Sequence, residues 1–435
     1  MKNRSNIRFI LHTIIASFGA YFCMYAFRKP FTVATYENLA YFNIDYKILL
    51  IIAQVLGYVL SKFLGIKLIS QLKREHRAFY LIGLIALAEV ALILFASVPP
   101  PYNIIFMFMN GIPLGMIWGI VFSYLEGRKQ SEILGVFLSS SFIVSSGIVK
   151  SVGKYFMDHW HITEFWMPAV TGAIFFIPLV LCSKMLERIP PPNAEDIALK
   201  TERIPMTAKD RRQLLKQFIV PIVMLVFFYT LLTAFRDFRD NFARELWDAL
   251  GDHHSASIYT LTEIPIAIGV LVILGIVGMI KDNKKAFRFY HYLLVIGSVM
   301  IGVSTLEYQL DKIGPALWMI CTGFGLYLCY VPFNCIFFDR MIAAFKIKGN
   351  AGFLIYLADS FGYLGSVVAI LYKNFGQQEL SWLSFFTYGA YTISILGFLI
   401  TISSLFYFNK KSKKYNHQIE YNFNTENIDL YELKT

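Results

Sequence analysis

AYFCMYAFRKPF, residues 20–31, has a counterpart in FYTLLTAFRDFR, residues 228–239. Tyr21 aligns with Tyr229, and Ala26-Phe27-Arg28 with Ala234-Phe235-Arg236. At nearly the same offset, Leu64-Gly65-Ile66 aligns with Leu274-Gly275-Ile276. Short matches arise by chance, but two at nearly one offset, each at the same place in its half, indicate an internal duplication. Both copies of the first motif close a strongly apolar run with an arginine, a costly residue in such a place.

The rest of the chain explains the setting. Of 435 residues, 56% are hydrophobic and 16% charged, and the mean hydropathy is +0.53. Soluble chains carry about one quarter charged residues. A bilayer core of about 30 Å takes roughly 20 apolar residues per helix. Twelve stretches satisfy this, near 9–39, 44–66, 78–97, 102–125, 133–156, 165–186, 217–245, 255–280, 287–306, 313–338, 349–372 and 381–408. The runs are continuous rather than alternating, so the expected class is all-α, polytopic and membrane-embedded, and strands are not expected. The N-terminal MKNRSNIRFILHTIIASF reads as an uncleaved first helix, because no small-residue cleavage site ends its apolar run.

The net charge of +11 is distributed in alternate loops. Lys2, Arg4 and Arg8, then Lys67, Lys73, Arg74 and Arg77, Arg128 and Lys129, the 184–216 segment, Lys281 to Arg288, Arg340 to Lys348 and the tail form one basic set. The 98–101 link, Val-Pro-Pro-Pro, has no charge. The positive-inside rule places both termini in the cytoplasm, and the expected location is the plasma (inner) membrane. Basic loops beside anionic lipid account for the charge, so no nucleic-acid partner is inferred. Cys23, Cys182, Cys321, Cys329 and Cys335 all fall in expected spans with no metal or disulfide spacing.

The long polar segment IPPPNAEDIALKTERIPMTAKDRRQLLKQ divides six spans from six. The expected organisation is a six-helix bundle over 1–186, a cytoplasmic linker over 187–216, a second bundle over 217–408 and a disordered tail over 409–435. Within the linker, Thr207 is placed to cap a short surface helix running through Gln217. Six spans per half give both halves the same sense across the bilayer. That is the parallel-repeat plan of secondary transporters, with a site between the halves at mid-membrane.

Duplicated arginines on spans one and seven approach that axis from opposite sides. Guanidinium is permanently charged and presents a fork of donors that matches an oxyanion bidentately. Two facing guanidinium groups repel without an anion, which favours exchange of one anion for another. The competing reading is that Arg28 snorkels to an interface; the fairly apolar residues after it favour a long helix with Arg28 still inside. Lys62, Glu89, Lys150, Glu263 and Asp359 are also embedded in apolar runs. Lys62 and Lys150 are candidates to extend the cationic site. Glu263 and Asp359 are candidates for structural pairing or for proton coupling. Asp237 follows Arg236 but lies about 100° round a helix, so it need not neutralise it. Tyr21 and Tyr25 share the Arg28 face of a helix and are candidate pocket residues. The eight histidines, including His159, His161, His253 and His254, are scattered and show no metal-ligand or nucleophile–base pattern. An enzyme, a metal and a cofactor are therefore not expected.

At these residues the chain resembles the organophosphate:phosphate antiporters of the major facilitator superfamily, the branch of bacterial glycerol-3-phosphate and hexose-phosphate transporters. The resemblance lies in Tyr21-x3-Tyr25-x2-Arg28-Lys29-x-Phe31 of span one and in Gly57-Tyr58-x2-Ser61-Lys62-Phe63 of span two. It continues in Asn110-Gly111 with Gly115 of span four and in Glu263 with Pro265 of span eight. Span eleven adds Ala351-Gly352-Phe353 followed by Phe361-Gly362-Tyr363-Leu364-Gly365. It implies two pseudo-symmetric bundles rocking about a site in which Arg28, Arg236 and Lys62 bind a phosphate, and exchange of phosphate for a phosphorylated metabolite. The chain departs from the pattern at Ser70-Gln71-Leu72-Lys73-Arg74, in the absence of the family's fifth-span histidine, and at Asp237 and Asp359. The alternatives are proton-coupled uptake of a sugar or carboxylate, and a transporter-like sensor. The partners expected are a small anion and the lipid bilayer, with the protein a monomer.

Overall fold

The computed structural model describes residues 2–125, 128, 130–192, 208–252, 255–345, 351–377 and 379–432. Among these, long helices fill the twelve apolar runs. They are α1 (Lys2–Met24), α2 (Tyr46–Gln71), α3 (Arg77–Ser97), α4 (Ile104–Leu125), α5 (Ser131–Trp160) and α6 (Met167–Glu187) in the first half. The second half has α7 (Ala208–Asn241), the short α8 (Ala243–Ala249), α9 (Ile258–Gly278), α10 (Asn283–Gln309), α11 (Pro315–Cys335), the short α12 (Phe337–Ala344), α13 (Ala351–Leu371) and α14 (Trp382–Glu432). Among the described residues, 11 of the helices are long and apolar enough to cross a membrane. α2, 26 residues long, is the remaining long helix and packs on α4 and α13. The protein is an all-α polytopic membrane protein.

The packing repeats as the duplication requires. In the first group α1 packs on α5 and α6, α3 on α4 and α6, and α2 on α4. In the second, α7 packs on α13 and α14, α10 on α11 and α14, and α9 on α11. Every pair in one group has its equivalent in the other. The two groups meet symmetrically as well, through α5 against α9 and α2 against α13. Small residues allow the closest approaches: a Cβ on Gly111 would collide with the backbone of Gln54 and Tyr58, so α2 and α4 touch main chain to main chain.

The first span is not the long helix expected over 9–39. α1 ends at Met24, and Tyr25–Phe27 and Pro30–Val33 form separate 3-10 turns. The cause is Pro30, which lacks the N–H and clashes with a preceding helical carbonyl. The equivalent position in the second copy is Phe238, and there the helix continues through to Asn241. Carbonyls released inside a membrane protein need new donors. Asn110 Nδ2 donates to the Phe27 carbonyl at 3.1 Å and to the Ala88 carbonyl at 3.1 Å. Gln54 Nε2 donates to the Arg28 carbonyl at 3.0 Å and to Asn110 Oδ1 at 2.8 Å. Beyond the break, Glu164 accepts from the backbone N–H groups of Thr35 and Tyr36 at 2.8 and 2.9 Å. A two-stranded ladder then pairs β1 (Ala40–Tyr41) with β2 (Ile44–Asp45). Its turn residues Phe42 and Asn43 both have positive φ, 58° and 59°, the geometry of a two-residue hairpin. This strand pair corrects the expectation that strands are absent.

Two further segments differ from expectation. Phe218 in α7 is non-helical (φ −130°, ψ 22°), because Pro221 leaves the Gln217 carbonyl without its helical donor. Lys411 Nζ donates to that carbonyl at 2.5 Å and the Tyr407 hydroxyl at 3.4 Å. The tail expected to be disordered from Asn409 instead continues α14 to Glu432; no glycine or proline follows Gly397 to end the helix. The proposed cap Thr207, half of the linker (193–207), and His253 and His254 lie outside the described residues. α10 starts at a side-chain cap, Asp282 Oδ1 accepting from the Lys285 N–H at 2.9 Å, and that hydrogen bond holds the exposed carboxyl below its usual range. Asp282 therefore favours the folded state above its unfolded pKa, and the contribution fades as pH falls through the depressed value.

Asn110→Ala removes the donors that satisfy the Phe27 and Ala88 carbonyls. It is expected to destabilise the purified protein by about 1–3 kcal/mol, read as a fall in the thermal unfolding midpoint in detergent.

Candidate functional site

Where the two groups meet, one pocket gathers side chains from eight segments. The first group contributes Tyr21 of α1, Tyr25 and Arg28 of the break after it, Tyr58 and Lys62 of α2, Trp118 of α4 and Phe142 of α5. The second contributes Arg236 of α7, Tyr330 and Asn334 of α11, and Asp359 and Tyr363 of α13. Arg28 and Arg236, aligned in the sequence, thus face one space from opposite groups, and both are buried, at 4% and 8% exposure. The Tyr21 and Tyr25 rings meet edge-on at 5.7 Å. They reach the pocket although the helix they were expected to share ends between them.

The two arginines have different surroundings. Arg236 donates to Asp237 Oδ1 from Nε at 3.1 Å and from Nη2 at 2.6 Å, and from Nη1 to the Tyr330 hydroxyl. Asp237 Oδ2 accepts from Ser366 Oγ at 2.7 Å. Asp237, which at about 100° round the helix need not neutralise Arg236, does so here: the long arginine side chain folds back over one residue and closes the ion pair itself. At the equivalent position of the first copy stands Lys29, so Arg28 has no such neighbour. Among the described residues the Arg28 guanidinium has no carboxylate or hydrogen-bond partner. Its Cζ lies 4.0 Å from the centroid of the Tyr58 ring and 5.9 Å from that of Tyr25, a cation–π setting.

Lys62 crosses the pocket toward Asp359 Oδ2, 3.5 Å away. Asp359 Oδ1 accepts from the Tyr229 hydroxyl at 2.5 Å, and the Tyr229 and Tyr330 hydroxyls lie 3.1 Å apart. Tyr229, the duplicate of Tyr21, therefore stands one hydroxyl behind the pocket wall. Three cations of the pocket face two carboxylates, and Arg28 is the cation left over.

Lys150 does not join this pocket. With Ser146 Oγ, its ammonium donates to Asp240 Oδ1, and Lys29 binds Asp240 Oδ2 at 2.5 Å and Asn241 Oδ1 at 2.7 Å. Lys47 and Glu245 pair at 2.5 Å in the same region. These ion pairs join the two groups to one side of the pocket, since Lys47 lies about 22 Å along α2 from Lys62 at the helical rise. Glu263 also lies elsewhere, pairing with Arg239 Nη1 at 2.5 Å. Among the described residues Glu89 Oε2 has no hydrogen-bond partner, and it faces Gly172. Among the described residues no group of histidine, cysteine and acidic side chains can hold a metal ion.

The match to known proteins begins at Pro30. Residues 30–411 fit a family of unknown function, DUF5690. The chain belongs to that family. No curated protein matches it. Among solved structures, a D-xylose–proton symporter superposes with a TM-score of 0.60 at 16% identity, covering 90% of this chain and 96% of that one. The nucleoside transporter NupG gives 0.59 at 15%, covering 92% and 99%. A mutant of the peptide transporter POT gives 0.59 at 14%, covering 93% and 95%. At such identities the likeness establishes the fold, which is of the major facilitator type, and the neighbours with that fold are secondary transporters.

Sequence reading missed Tyr330, Phe142 and Trp118, which carry no motif and stand among many aromatic residues. It also missed the Lys29–Asp240–Lys150 cluster, whose members come from three separate segments. Asp240→Ala would leave two buried ammonium groups without their carboxylate. The expected loss is about 3–5 kcal/mol, and Asp240→Ala combined with Lys150→Met should recover part of the fall in the thermal midpoint.

Proposed function

We propose that this protein is a secondary active transporter carrying a small organic anion by alternating access around Arg28, Arg236 and Lys62. A phosphorylated metabolite is the first candidate, with phosphate as its counter-substrate. The observation that carries the reading is the unpartnered guanidinium of Arg28, buried at 4% exposure and facing the pocket between the groups. A permanent charge in such a place is expensive unless an anion reaches it. The tyrosines around it supply hydroxyl donors and ring faces that suit an oxyanion with a polar tail. The fold's neighbours, which are transporters rather than enzymes, support carriage over chemistry. The protein acts in a plasma (inner) membrane, its basic loops and both termini on the cytoplasmic side.

A second reading, proton-coupled uptake, draws on the Lys62–Asp359 pair: a proton on Asp359 would free Lys62 for the substrate. Reconstituted protein separates the two. Counterflow of labelled phosphate that ignores a pH gradient supports exchange, and uptake abolished by a protonophore supports proton coupling. Arg28→Lys and Arg236→Lys each lose the bidentate fork while keeping charge, and each is expected to cut flux about 10- to 100-fold with insertion unchanged. Near-normal flux in either variant would remove the arginine-centred site from consideration.

A further inference from the structure

The two carboxylates paired with the pocket's cations are attached to them in different ways. Asp237 follows Arg236 on one helix, so this pair stays together however the two groups tilt. Asp359 belongs to α13 and Lys62 to α2, so their pair spans the two groups. At 3.5 Å it is longer than the 2.7–2.9 Å or so of a good charge-assisted hydrogen bond. The other carboxylate oxygen is held at 2.5 Å by Tyr229 of its own group, and Tyr229 is itself 3.0 Å from Asn334 Oδ1. Asp359 is thus fastened to the second group and rests lightly against the first. Lys62 has no second acceptor among the described residues; its ammonium lies 5.4 and 5.8 Å from the ring centroids of Tyr58 and Tyr363.

We propose that Asp359 is a built-in counter-ion that occupies Lys62 when the carrier is empty, so that the empty carrier reorients and the anion moves in net fashion as well as by exchange. The proposal rests on the anion-carrier reading above. Three bare cations would hold an empty site open to water, because sealing them away uncompensated is prohibitive. With Asp237 on Arg236 and Asp359 on Lys62, only Arg28 is left, and it lies against Tyr58. An arriving anion takes the Lys62 ammonium, and Asp359 retreats onto Tyr229. The internal carboxylate therefore competes with the substrate, which weakens binding and quickens release. The duplicated arginines taken alone point to obligatory exchange. This carboxylate, which departs from the pattern the chain otherwise resembles, lifts that obligation.

The test uses the full-length protein in proteoliposomes loaded with labelled inorganic phosphate, comparing efflux into anion-free buffer with efflux into phosphate. Wild type is expected to show both. Asp359→Asn is expected to lose net efflux by about tenfold or more while exchange stays within about threefold. Lys62→Gln together with Asp359→Asn removes both members of the pair and is expected to regain net efflux, with a higher half-saturating phosphate concentration. Asp359→Glu, which keeps the charge, is expected to retain net efflux. The proposal fails if wild type shows exchange without net efflux, or if Asp359→Asn retains net efflux. It fails equally if that variant loses both modes together and the double variant does not recover. A wild type that moves phosphate in neither mode overturns the anion-carrier reading first, and the counter-ion falls with it.

Discussion

A guanidinium sealed inside a membrane protein must be answered by negative charge or by something that stands in for it, and the two arginines of this pocket are answered differently. Arg236 has Asp237 beside it and Tyr330 above it. Arg28 has the face of Tyr58. The difference traces to one aligned position, lysine in the first copy and aspartate in the second. Lys29 cannot serve Arg28, and it reaches across to Asp240 and Asn241 of the other group. The same substitution therefore leaves one arginine unneutralised and supplies a link that holds the groups together.

A second difference between the copies, Pro30 against Phe238, shapes the backbone around that charge. The break it forces puts Arg28 on an irregular turn, with the carbonyls of Phe27 and Arg28 turned out of the helix. Asn110 and Gln54 exist, structurally, to meet them. The polar pair on α2 and α4 so fixes the position of the anchor cation, and the glycine contact between those helices fixes the pair. Binding geometry here depends on α2 and α4, and α2 also supplies Lys62 and Tyr58 to the pocket itself.

Much of this was readable in advance. Hydropathy marks the long helices because an apolar bilayer leaves few other ways to satisfy a backbone. Duplication predicts that Arg28 and Arg236 face each other, since a repeat packed symmetrically returns equivalent side chains to one axis. Lys62 and Asp359 stand out as charges in apolar runs. Other features escape such reasoning for physical reasons. Lys150 looks like a site residue in sequence, and Glu263 like a structural or coupling carboxylate, but their partners Asp240 and Arg239 belong to the far end of α7, where only tertiary packing brings them near. The end of α1 at Met24 was hidden by the apolar residues that follow Pro30, which continue the hydrophobic signal without continuing the helix. The pairing of Asp237 with Arg236 stays open in sequence because helical angles describe where a side chain leaves the backbone, and arginine is long enough to return.

The bend at Phe218 has a bearing on how the chain is strung together. Pro221 strips one carbonyl of its helical donor, and Lys411 and Tyr407 from α14 cover it. The first turns of α7, which lead in from the connecting segment, are thereby stitched to the last membrane helix, a member of the same group. The point where the connector enters the second group is therefore fastened to that group's own last helix.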